Sequence, residues 1–319
     1  MNSPYHPRAA ALDIGSNTLK MLVVENRPDG LEALGERTSE TRISEGISKD
    51  HPELTETSMQ KGVKVIGELY REMQSFDPDF SRIVATSAVR DANNREEFKR
   101  RVLEETGQEI DVIAGEEEAR LIGKGVLTDP NLKNQKEIMI FDMGGGSVEC
   151  IYIKDREIKM AESLPLGGVR LLEHHVQNPT LPLKEDEKMA VIEAVQRQVS
   201  KLPIKLKNPE EAIVVGAGGT WVTSRAIIAH REGKTLEESS PHLSMSDLTS
   251  VFEEASSYDL EQRLQIPKLP SNRADVFPVT LLALIELGKW VGVSQFYHCF
   301  RSLRYGVADE LLNPETPKN

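Results

Sequence analysis

ALDIGSNTLK at residues 11–20 and FDMGGGSVE at residues 141–149 decide how this chain is read. Each begins as an apolar run and continues with Asp, a hydrophobic residue, Gly, two small residues and a hydroxyl before a second strand-like run. Asp13 and Asp142 stand 129 residues apart, so the chain reads as two related halves. Each half offers one carboxylate beside one tight turn, and a cleft between the halves is expected. Glycine in such a turn lets the backbone approach a ligand, and successive N–H groups converge on a phosphate oxygen. A neighbouring Asp repels a bare phosphate but helps hold a divalent ion, so phosphate and cation are expected together. The plainer alternative is two ordinary hairpin turns; their repetition at domain distance argues against it.

The 319 residues suffice for two domains with their own cores, and the 39% hydrophobic content is that of an ordinary globular chain. No apolar run reaches the length of a membrane span, and MNSPYHPR lacks a signal core, so neither membrane insertion nor secretion is expected. Cys150 and Cys299 both lie in apolar company and read as buried thiols of a reducing, cytoplasmic compartment rather than a disulfide or zinc site. The formal charge of −12 repels polyanions, so general nucleic-acid binding is not expected and a phosphate ligand needs a local solution.

Around the first turn, residues 8–14 and 19–25 read as paired strands, with a third at 31–38 and a loop at 41–47 carrying Arg42 and Gly46. Apolar residues at Met59, Val63, Ile66, Leu69 and Met73 give a helix over 54–73, with Thr55 or Thr57 as its cap. A strand at 81–86 leads through SAVRDANN, residues 87–94, read as a turn, into a helix to about 105. After a strand at 109–114, GEEEARL at 115–121 opens another helix. Acids are common in a first helical turn, which accounts for Glu116 and Glu117. Glu118 lies one step farther in, where it can face the cleft.

TDPNLKNQ, residues 128–135, is the expected hinge. Beyond the second hairpin, LPLGGVRL at 164–171 brings two glycines to a helix start, and EAIVVGAGGTW at 211–221 is a third strand–glycine turn–helix unit. Residues 231–244 read as an exposed loop, 274–289 as a helix interrupted near Pro278, 293–300 as a strand and 303–312 as a final helix. There is no HExxH, CxxC, Walker loop or G-x-S-x-G elbow, and the adjacent His174 and His175 diverge on a helix.

Two Asp-bearing turns, a third glycine turn and an interior acid suit water attack on a phosphoanhydride. In this reading Asp13 and Asp142 hold Mg²⁺, with Glu149, on the same strand face as Ser147, as a further metal or water ligand. Phosphate falls to Ser16, Asn17, Thr18, Gly144, Gly145, Gly146 and Ser147, and to Gly218, Gly219 and Thr220. Glu118 orients the water or takes its proton, and Arg90 neutralises phosphoryl oxygens unless it merely pairs with Asp91 or Glu97. Lys20, Arg42 and Arg170 form a candidate basic strip for a polymer, with scattered solubilising charge as the alternative.

In order, ALDIGSNTLK, ATSAVRDANN, GEEEARL, FDMGGGSVE, LPLGGVRL and VVGAGGTW resemble the exopolyphosphatase and guanosine pentaphosphate phosphohydrolase family, over roughly residues 8–312. The resemblance implies an α/β protein of two ribonuclease-H-like domains of the actin, Hsp70 and sugar-kinase superfamily, each a mixed sheet flanked by helices, with the active site in the interdomain cleft. With the hinge at TDPNLKNQ the domains are expected at 1–127 and 128–312, with a disordered tail at 313–319. The resemblance matches Glu118 to the catalytic glutamate, Arg90 to the arginine near the scissile phosphate, and Asp13, Asp142 and Glu149 to the family's acidic positions. The substrates so implied are inorganic polyphosphate, as the leading expectation, or guanosine pentaphosphate, with Mg²⁺; a homodimer is left open, and neither nucleic acid nor membrane is a partner. Longer members carry further helical domains that grip polymer, and this chain reads as the short two-domain form. Pro278 and Val279 stand where the family commonly has glycine. A kinase of the same superfamily, an actin-like filament protein and an inactive phosphate sensor are the readings from other classes.

Overall fold

The computed structural model describes residues 5–44, 51–204, 206 and 208–314. Gly46 and residues 315–319 of the expected tail lie outside them. The chain divides into two compact units, one holding residues to Asn134 and from Arg301 onward, the other Gln135–Phe300.

The first unit begins with β1 (Arg8–Ile14), β2 (Thr18–Arg27) and β3 (Gly30–Glu40), an antiparallel meander. After α1 (Glu56–Gln74), β4 (Phe80–Ala85) pairs parallel with β1. Then come α2 (Ser87–Asp91), α3 (Arg95–Thr106), β5 (Ile110–Val112), parallel with β4, and α4 (Gly115–Leu127). The sheet order is β3-β2-β1-β4-β5. Strand β1 is apolar because both of its faces are covered: Ala10, Leu12 and Ile14 enter the core with Ile66, Leu69 and Phe98, while Ala9 points to the opposite cluster. Thr55 caps α1 by accepting from Ser58 N–H. The stretch 87–94, read as a turn, contains the short helix α2.

The second unit repeats the plan. β6 (Glu137–Met143), β7 (Val148–Lys154) and β8 (Glu157–Leu164) form the meander; α5 (Gly168–His175) and α6 (Glu185–Val199) follow. β9 (Ile213–Ala217) joins parallel to β6 and leads into α7 (Gly219–Arg231). β10 (His242–Ser244), α8 (Met245–Ser257), α9 (Leu260–Arg263), α10 (Phe277–Val291) and β11 (Gln295–His298) complete it. The order β8-β7-β6-β9-β11 copies that of the first sheet, with β10 added antiparallel at the edge. Both units thus have the ribonuclease-H-like arrangement. β10 lies at the end of the stretch read as a loop; three residues are too short to show a strand periodicity. Pro278 does not interrupt a helix: it stands in the first turn of α10, where a missing N–H costs nothing.

The closing helix α11 (Leu303–Leu312) belongs to the first unit, which corrects the domain limits of 1–127 and 128–312. Tyr305 and Ala308 pack on Ala9, Leu22, Val24 and Leu31, covering the second face of the first sheet. Arg301 donates to Thr128 O at 2.5 Å and Leu31 O at 3.0 Å, and Arg304 to Met21 O at 2.6 Å. Helix α11 meets α4 backbone to backbone: a Cβ at Gly125 would overlap Ser302 O, and one at Gly306 would overlap Leu121 O. Both cysteines are buried and neither is in a disulfide, as read. Among the described residues no helix is long and apolar enough to cross a membrane.

Candidate active site

In the first unit the candidate residues gather at the carboxyl ends of the parallel strands β1, β4 and β5, where open α/β sheets place their ligands. The turn after β1 closes with Gly15 N–H donating to Thr18 O at 3.1 Å. A Cβ at Gly15 would stand 2.9 Å from that oxygen, so the turn requires glycine. Asp13, Ser16, Asn17 and Thr18 are all buried around it. Ser16 Oγ lies 3.0 Å from Ser87 Oγ at the start of α2, and Asn17 O accepts from Thr41 N at 3.2 Å and Arg42 N at 3.0 Å. Among the described residues Asn17 Oδ1 is buried without a hydrogen-bond partner.

Glu118, in the first turn of α4, is buried, whereas Glu116 and Glu117 are not. Arg90 Nη1 donates to Glu118 Oε2 at 3.0 Å and to Ile113 O at 3.0 Å. The alternative pairing of Arg90 with Asp91 is the weaker contact, at 3.9 Å through Nε. Glu117 instead receives two N–H groups of Arg120. The structure thus separates the three consecutive acids by direction, and Glu118 alone is turned to the Arg90 side.

In the second unit the turn after β6 closes with Gly144 N–H donating to Ser147 O at 3.0 Å. The start of α5 is docked onto it: Gly168 N–H donates to Gly144 O at 3.0 Å and Val169 N–H to Gly145 O at 2.9 Å. A Cβ at Gly167 would overlap the backbone of Gly145 and Gly146, which explains the paired glycines of LPLGGVRL. Arg170 Nε donates to Gly146 O at 3.0 Å, so this arginine of the expected basic strip also braces the turn. Gly218 has φ +96°, and its absent Cβ leaves room for Asp142 Oδ1, which would otherwise lie 2.6 Å away. Gly219 and Thr220 open α7 at the same end of the sheet, with the Arg273 guanidinium against Gly219.

The two hairpins share a register. Asp13 stands opposite Lys20 in β1–β2, and Asp142 opposite Glu149 in β6–β7, the same seven-residue step in each. Directly opposed side chains project from the same face. One hairpin therefore offers an acid beside a lysine and the other two acids side by side, both buried. Glu149 accepts from Ser163 Oγ at 2.8 Å. These are hard oxygen donors of the kind Mg²⁺ takes, and among the described residues no three His, Cys, Asp or Glu side chains form a metal cluster. Such a donor set fits Mg²⁺, which binds through one or two carboxylates and leaves its other positions to water and substrate phosphates. Ser87, Ser163 and Arg273 escaped the sequence reading as site residues. Their partners lie 71, 14 and 54 residues away, beyond any local pattern.

The profile of the Ppx/GppA phosphatase family matches residues 22–315. The chain belongs to this family. Two proteins named guanosine-5′-triphosphate,3′-diphosphate pyrophosphatase are similar to this Ppx/GppA chain: that of Vibrio vulnificus is 28% identical over 98% of this chain and 60% of its own length. That of Photobacterium profundum is 27% identical with the same coverage. The chain thus spans about 60% of the length of the curated relatives it matches. Among solved structures, the Aquifex aeolicus Ppx/GppA family member is 25% identical, with TM-score 0.78 over 98% of this chain and all of that one. A Cytophaga hutchinsonii exopolyphosphatase shares the fold at TM-score 0.83 and 23% identity, over 97% of this chain and 99% of that one.

Proposed function

We propose that this Ppx/GppA chain releases terminal orthophosphate from inorganic polyphosphate by Mg²⁺-assisted water attack. The observation that carries the reading is the buried Glu118 carboxylate held by Arg90 at 3.0 Å at the carboxyl end of the first sheet. In this reading Glu118 accepts a hydrogen bond from the attacking water and takes its proton as the water oxygen bonds to the terminal phosphorus. The bridging P–O bond breaks, and the shortened chain leaves with the electron pair. Arg90, fixed through Nη1, presents its remaining N–H groups to the phosphoryl oxygens. In each unit the turn would hold phosphate oxygens through backbone N–H groups: Gly15 and Gly144 close the turns, and the donors would come from Ser16 and Asn17 in the first and from Gly145, Gly146 and Ser147 in the second. Thr18, Gly218, Gly219 and Thr220 add donors at the same strand ends. In the second unit Asp142 and Glu149 would hold the Mg²⁺, which would neutralise charge on the phosphates, and Asp13 is the corresponding carboxylate of the first unit.

Guanosine pentaphosphate is the second reading, favoured by the names of the Vibrio and Photobacterium relatives. Orthophosphate release from tripolyphosphate, long polyphosphate and guanosine pentaphosphate, with Mg²⁺ and with chelator, tests both. Faster release from polyphosphate supports the first reading. Faster release from guanosine pentaphosphate reverses the order, and Mg²⁺-independent release removes the metal from the account.

A further inference from the structure

Beside Arg90 the first unit carries an open groove of about 460 Å³ between the start of α3 and the edge strand β5. Its cations are Arg90, Arg95 and Lys99, the last two one helical turn apart and so on one face of α3. Arg95 Nη1 folds back onto Arg90 O at 3.0 Å, which holds the Arg95 guanidinium at the end of α2 beside the groove. The groove holds two acids, and neither closes it to an anion. Asp111 is neutralised from outside by Arg82, whose Nε donates to Oδ2 at 3.0 Å. Glu96 is shared by Arg95 at 3.5 Å and Lys99 at 3.1 Å, and its side chain is 71% exposed, so an incoming anion displaces it at little cost. The helix start adds partial positive charge. Asn94, the residue placed to cap α3, is spent instead on Leu54 N at 3.0 Å and Leu54 O at 2.8 Å, and α3 opens without a side-chain cap.

We infer that this groove is an anion subsite for a run of linked phosphates, with Arg95 and Lys99 gripping the groups behind the one at Arg90. The inference rests on the reading of Arg90 as a phosphoryl ligand and names the part of the substrate bound beside it. It differs from the Lys20, Arg42 and Arg170 strip, and it locates on this acidic chain a local solution for a polyanion. The linked phosphates belong either to a polyphosphate chain or to a guanosine pentaphosphate, and the substrate used tells these apart.

The test is equilibrium binding and turnover with the single and double charge reversals Arg95→Glu and Lys99→Glu, beside the neutral Arg95→Gln/Lys99→Gln pair, each at a thermal midpoint matching wild type. Binding of long polyphosphate and of guanosine pentaphosphate is measured in a Glu118→Ala background, so that it does not depend on turnover. The double reversal is expected to weaken binding of long polyphosphate about tenfold, with the neutral pair intermediate and the loss shrinking at high salt. A loss confined to guanosine pentaphosphate assigns the groove to that substrate's phosphates. Unchanged binding of both ligands overturns the subsite while leaving the hydrolase reading intact. Absence of wild-type phosphate release with binding still lowered by the reversals overturns the hydrolase reading and retains the groove.

Discussion

At the scale of single residues, the burial of polar groups separates those that build the site from those that stiffen its frame. His298, at the carboxyl end of β11, is 1% exposed, and burial first and the Arg225 guanidinium second push its pKa down to about 3. The folded chain therefore keeps the ring neutral while the unfolded chain takes up a proton near pH 6.5. The stability this contributes is complete above about pH 6.5 and is lost progressively as pH falls towards about 3. Urea unfolding at pH 7 and pH 5 should show His298→Gln losing about 2 kcal/mol less than wild type on acidification; parallel losses would remove His298 from the account. Gly218 is the second such point. An alanine there adopts a left-handed φ and presses on Asp142 Oδ1, so Gly218→Ala should cost about 1–3 kcal/mol of stability by denaturant midpoint. An unchanged midpoint would show that the turn yields. Asp13, Glu118, Asp142 and Glu149 were legible in the sequence as acids at glycine turns and at a helix start. The partners that orient them were not, because Ser163 and the Arg90 contact are matters of side-chain direction across sheet and loop.

At the scale of elements, the two hairpins were the most legible part of the chain, since a duplicated turn fixes its own register. Helices with a strong apolar stripe, such as α1, were equally plain. The short pieces α2 and β10 were missed because five and three residues carry too little periodicity, and Pro278 was misread because a proline in a first turn looks in sequence like one in a helix interior. The α4–α11 pair has the largest mechanical consequence for the site. Glu118, Leu121 and Gly125 share one stripe of α4, and α11 rests on the last two of them. Gly306→Ala should therefore push α4 outward, lowering stability by about 1–3 kcal/mol through overpacking and turnover by more than the stability loss explains. Thermal midpoint and kcat measured together decide it: full turnover by a folded variant would mean that α11 does not set the position of Glu118.

At the scale of the whole molecule, the ordered motifs predicted the family and the doubled architecture, and both hold. The domain limits did not, because the return of α11 to the first unit depends on a helix packing on a sheet some 270 residues earlier in the chain, as in the contact of Tyr305 with Glu36. The net charge of −12 makes phosphate recognition a matter of a few placed donors rather than of the overall field, which concentrates the account on the Glu118–Arg90 pair. The measurement that tests it most directly is orthophosphate release from polyphosphate ends in the presence of Mg²⁺ by wild type and by Glu118→Gln, an isosteric change that keeps a hydrogen bond but removes the base. Turnover is expected to fall by roughly 10²–10⁴-fold with KM little changed and the thermal midpoint preserved; a folded Glu118→Gln variant that releases phosphate at the wild-type rate would contradict the account.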